Sequence, residues 1–207
     1  ALAVLVGQAS FWASVGATLL RVAAGLCAGV VLGGLLAGLT CAGPWRARLL
    51  SPPIRIIRAT PVASFILLVL LWTQRDQVPA IISALMVLPV MWENLVHGIR
   101  AADAQLLELA RAYRFSREKV MRLIYLPSLR PYFLSALTTS VGLAWKSGVA
   151  AEVLCIPPLA IGTQIYGAKL YLEIPDLFAW TAVVVALSLA LERGLRLALG
   201  QRGGRRP

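Results

Sequence analysis

Residues 108 to 127 read ELARAYRFSREKVMRLIYLP, a charged segment set between apolar runs. Hydrocarbon offers a charge nothing to pair with, so this stretch belongs in water while its neighbours belong in lipid. The expectation is a cytoplasmic loop of a membrane protein, placed to touch another protein. Just upstream, Asp103 can cap a helix in which Leu106, Leu107, Ala110 and Tyr113 recur at helical spacing. Ser116 can cap a second helix, with Glu118 in its first turn near the positive end of the dipole. Val120, Leu123 and Ile124 form the apolar stripe of that helix, and Pro127 is expected to stop it. The product is a helix, a turn and a helix, basic outside and apolar along one side. That shape suits a protein groove; periodicity alone also fits a hairpin lying on the membrane surface.

Around this segment the 207 residues are 59% hydrophobic and 14% charged, with mean hydropathy +0.78. An ordinary soluble domain is far less apolar. Residues 22 to 45 carry no charge, enough to cross roughly 30 Å of hydrocarbon at about 1.5 Å per residue. The uncharged runs 59–74, 77–92, 131–145, 153–168 and 177–191 are shorter, and for them spanning rests on flanks and orientation as well. The expectation is an all-α polytopic membrane helix bundle, one domain over 1–207. Its five spans fall at about 13–40, 54–73, 78–98, 131–153 and 176–197, with a helix-turn-helix loop at 100–130.

The basic residues support one orientation. With 100–130 in the cytoplasm, the segments 41–58, 100–130 and 193–207 all face inward and hold 4, 7 and 5 Lys or Arg, 16 of the chain's 20. The positive-inside rule asks for this. It also accounts for the net charge of +11 without nucleic acid as a partner. Cys27, Cys41 and Cys155 have neither metal-ligand spacing nor an even count and read as small apolar fillers. Ala1 to Val6 is apolar but short and follows no basic stretch, which argues against a signal peptide and leaves open whether an upstream helix is missing.

Glycine and proline punctuate the spans. Gly25, Gly29 and Gly33, four residues apart, predict a smooth face for close helix packing. Pro44 is expected to end the first span, Pro52 and Pro53 to open the second, and Pro61 to kink it. Residues 154–175 carry Pro157, Pro158, Gly162, Gly167 and Pro175, too many interruptions for a crossing. They predict an external loop with a short or re-entrant helix packed on the bundle.

The spacing in the opening stretch resembles the EAA motif of binding-protein-dependent ABC importer permeases: Glu-Ala-Ala, three residues, Gly, nine residues, Ile, one residue, Leu-Pro. Glu108, Ala110, Ile124, Leu126 and Pro127 fall at matching positions; Leu109 replaces one alanine, and Arg114 stands where the family has Gly. Gly there permits a left-handed turn, which costs Arg a steric penalty. Residues 58–61 (RATP), 141–154 (VGLAWKSGVAAEVL) and 173–180 (EIPDLFAW) resemble the nitrate, sulfonate, taurine and bicarbonate branch. The resemblance implies a multi-pass permease of a bacterial inner membrane, its coupling loop and C-terminus cytoplasmic. It implies a second permease chain, most simply an identical one, an ABC ATPase subunit bound at the EAA loops, and an extracytoplasmic substrate-binding protein. ATP and Mg would belong to the ATPase; this chain carries no Gly-rich Lys-Ser/Thr phosphate loop and no cofactor of its own.

Ionisable residues inside spans are costly, which makes Arg21, Glu93, His97, Lys146 and Glu152 candidates for the translocation pathway. Each has a plainer reading. Arg21 and Glu152 can snorkel at the external interface. Lys146 can neutralise Glu152 or Glu93, and Glu93 with His97, one turn apart, can be a packing pair near the inner face. Lys146 in the outer half of the membrane can instead attract an anion such as nitrate, a sulfonate or bicarbonate. Two other function classes fit less of the sequence. An intramembrane hydrolase would need a nucleophile beside its one His, and a passive channel or scaffold would give the loop no reason to match the EAA spacing.

Overall fold

The computed structural model describes residues 5 to 199. The opening residues Ala1 to Val4 and the basic tail from Gly200 onward lie outside the described residues. Nine helices follow in chain order among the described residues from Ala9 onward: α1 Ala9–Cys41, α2 Pro44–Ala59, α3 Val62–Leu70, α4 Val78–Arg100, α5 Ala104–Ala112, α6 Arg117–Val120, α7 Leu126–Cys155, α8 Ile161–Leu170 and α9 Ile174–Ala198. A π-helical turn, Met121–Tyr125, joins α6 to α7.

Three of them, α1, α4 and α9, are long and apolar enough to cross a membrane. The 30-residue α7 is long enough but more polar. The second expected span, 54–73, is corrected: α2 and α3 meet at 101°. Pro61 therefore breaks this span instead of kinking it, and drives Thr60 before it into extended backbone. Pro52 and Pro53 lie inside α2 and do not open it. The two carbonyls they leave without donors, on Arg48 and Leu49, belong to exposed residues, where water or headgroups can satisfy them.

The glycine face works as its spacing predicts. A Cβ on Gly29 would lie 2.7 Å from Val87 Cβ and 2.8 Å from the Ala84 carbonyl; on Gly33 it would lie 2.7 Å from Met91 Cβ. Without side chains there, α1 lies directly on α4. Ser83 Oγ of α4 donates to the Ala144 carbonyl of α7 at 3.0 Å, and the Trp145 indole of α7 donates to the Val184 carbonyl of α9 at 3.1 Å. The buried Trp145 centres the core with Val22, Val87, Met91 and Trp180. Residues 154–175 contain the expected short helix, α8, packed against α7 and α9.

Candidate functional site

The hairpin between α4 and α7 is assembled by local signals. Asp103 Oδ1 accepts from the Gln105 amide at 2.8 Å and Ser116 Oγ from the Lys119 amide at 3.3 Å, so both expected caps form. Between the helices Arg114 takes the left-handed conformation, φ 48°. Its amide donates to the Arg111 carbonyl at 3.1 Å, and the Phe115 amide to the Ala110 carbonyl at 2.8 Å. This bond pair is the Schellman ending, in which a glycine usually occupies the left-handed position. Arg114 thus adopts the turn that Gly would make easier.

Pro127 does not stop the second helix. The Leu126 amide reaches back to the Met121 carbonyl, widening the turn so that the proline ring clears the preceding coil and the helix runs on into α7. The hairpin is therefore continuous with a membrane helix. Ala110 and Ile124 are buried, 4% and 6% exposed. Much of the expected apolar stripe faces outward instead: Leu106 is 46% exposed and Tyr113 71%. Glu108, Leu109, Arg114, Leu126 and Pro127 are exposed as well.

The pathway candidates fall into three separate places. Glu152 is fully buried and does not snorkel. Its Oε2 accepts from Thr18 Oγ1 at 2.9 Å and the Gly162 amide at 3.2 Å, and its Oε1 faces Arg21 Nη1 at 3.5 Å. Arg21 also donates to the Pro158 and Leu159 carbonyls, both at 3.0 Å, and to Asp76 at 2.7 Å. Sequence reading missed Asp76 and Thr18, which carry no span signal of their own. Together these groups tie the loop after α7, with its left-handed Ile156 and Leu159, to α1.

Glu93 is not paired with His97. Arg58 of α2 takes its carboxylate, and both Glu93 and His97 line a cavity of about 340 Å³. The hydroxyls nearby donate to backbone one turn back, Ser51 to the Ala47 carbonyl and Thr40 to the Leu36 carbonyl. Lys146 neutralises neither Glu152 nor Glu93, whose partners are Arg21 and Arg58. It is exposed and lines a cavity of about 380 Å³ with Thr138, Thr139, Gly142, Glu192 and Arg196.

Residues 29–193 match the family described as binding-protein-dependent transport system inner membrane component. The chain belongs to that family. It is 28% identical over 189 residues to the bicarbonate transport system permease protein of Synechococcus elongatus, covering 88% of this chain and 66% of that protein. It is 26% identical over 194 residues to the taurine transport system permease protein of Escherichia coli, covering 91% and 69%. The chain thus spans about two thirds of these relatives. A crystal structure of an amino acid ABC transporter with histidines matches at TM-score 0.68 and 20% identity, over 87% of this chain and 88% of the other. The fold of this family member is accordingly that of an ABC transporter membrane subunit.

Proposed function

We propose that this chain is the permease subunit of an ABC importer that moves a small anion inward, with the 108–127 hairpin as the surface met by a separate ATPase. The observation that carries this reading is the hairpin itself: a family member presents Glu108, Leu109 and Tyr113 outward, one turn before the helical run from Arg117 that continues into α7. Nucleotide-driven movement of that surface would act on a stiff helix and tilt it within the bundle. With the hairpin cytoplasmic, the basic segments 41–58 and 100–130 fall on the inner side, as the positive-inside rule requires. Bicarbonate and taurine, the solutes in the names of two relatives, both carry an anionic oxygen group, and the exposed Lys146 is a cation for such a group to meet. A second, identical permease chain and an external binding protein complete the assembly. ATP and Mg belong to the ATPase.

The test is Glu108→Arg in chain co-expressed with an ABC ATPase subunit that co-purifies with the unaltered chain. Co-purified ATPase should fall about tenfold or more, the scale of reversing a charge at an interface, while the permease yield stays level. Undiminished ATPase recovery together with undiminished solute uptake would end the assignment of this surface.

A further inference from the structure

The geometry points to a binding site for one anionic phospholipid on α2, with the phosphate in the arginine-lined cavity and an acyl chain along the outer face of the helix. The cavity, about 340 Å³, takes Arg55 and Arg58 from α2 and His97 and Arg100 from α4. Glu93 is its one acid and is engaged by Arg58, so Arg55 and Arg100 have no carboxylate partner among the described residues. A cavity carrying that excess of guanidinium recruits a multivalent oxygen anion, which arginine binds in bidentate fashion.

Headgroup, and not free phosphate, is the source that the rest of the helix favours. Trp45, Leu49 and Ile56 recur at intervals of four and seven, form one stripe along α2, and are 72%, 58% and 64% exposed. Ile54, on the opposite side of the helix, is buried against the bundle. Arg55 stands at the edge of the exposed stripe and also lines the cavity. An exposed Trp beside aliphatic residues and arginines is the pattern of a helix at the headgroup level. A phospholipid joins both halves in one molecule, and basic pockets between membrane helices hold such headgroups. The site shares no residue with the 108–127 hairpin or with the cavity of Lys146, so it does not depend on the transport reading.

Native mass spectrometry of the purified full chain, titrated with phosphatidylglycerol and separately with phosphatidylcholine, tests it. One phosphatidylglycerol should bind in preference to phosphatidylcholine. The double variant R55Q/R100Q should weaken that binding about 30-fold, two basic contributions lost. R55K/R100K, which keeps both charges and loses the bidentate geometry, should retain binding intermediate between the unaltered chain and R55Q/R100Q, and R46Q, on the same helix but outside the cavity, all of it. The retained binding in those two variants also shows that the fold tolerates changes on this face. Equal binding of the two lipids, or an unchanged affinity in R55Q/R100Q, would overturn the proposal. So would full competition by millimolar inorganic phosphate, which would reassign the cavity to a free anion.

Discussion

Arg114 stores a small, local conformational cost. A side-chain-bearing residue at φ 48° pays about 1 kcal/mol relative to glycine, because its Cβ crowds the following carbonyl. Replacing it with Gly should therefore hold the hairpin closed more firmly. In Arg114→Gly, amide exchange at Phe115, whose N–H closes the Schellman turn, should slow about fivefold, the kinetic equivalent of about 1 kcal/mol. Faster or unchanged exchange would mean that the guanidinium contributes more than the backbone loses. This position was legible in the sequence because the motif spacing put a non-glycine at a glycine place. The pairing of Arg21 with Glu152 across 131 positions was not: each was visible as an ionisable residue in a span, but sequence separation carries no distance. Asp76 was less legible still, since an acid in an external turn is ordinary.

At the scale of elements, local signals survived and boundary signals failed where two causes competed. Gly25, Gly29 and Gly33 were readable because a four-residue period is itself the geometry of a helix face. Pro52 and Pro53 read as a helix start, yet the chain was already helical from Pro44 and simply left two carbonyls on its outer side. Pro127 read as a stop, but a π-helical turn made room for it. Both misreadings have one cause: proline forbids one bond and one contact, and a helix that can give up the bond continues. The glycine face yields a direct prediction. Gly29→Ala should destabilise the purified chain by about 1–3 kcal/mol, since its Cβ would meet Val87 Cβ at 2.7 Å and overpack the α1–α4 contact. Gly38→Ala, which meets nothing within 4 Å, should be neutral or stabilising through helix propensity. Thermal unfolding in detergent compares the two, and equal melting temperatures would show that α1 does not lie on α4 as closely as described.

Across the whole molecule, the charged groups divide by position along the bundle. The arginine cavity lies where α1 and α4 end at Thr40 and Arg100, the hairpin follows directly, and the Arg21, Asp76 and Glu152 clamp closes the end where α7 gives way to α8. Lys146 lies between these two ends on α7, the helix that continues the hairpin, and it is exposed and engaged in no ion pair among the described residues. If α7 transmits movement from Glu108 while Lys146 meets the passing anion, the two residues fail in different ways. In vesicles reconstituted with the ATPase and the binding protein, Lys146→Ala should lower anion uptake about tenfold, the loss of one close charge pairing, while ATP hydrolysis continues. Lys146→Arg, which keeps the positive charge, should recover much of the uptake. Glu108→Arg should instead lose hydrolysis coupling and uptake together, because the defect lies before any solute is moved. Measuring both rates on the same vesicles separates these outcomes. Uptake indifferent to Lys146→Ala would place the anion's path on another face of the bundle, and parallel loss of both rates in that variant would make Lys146 a packing residue.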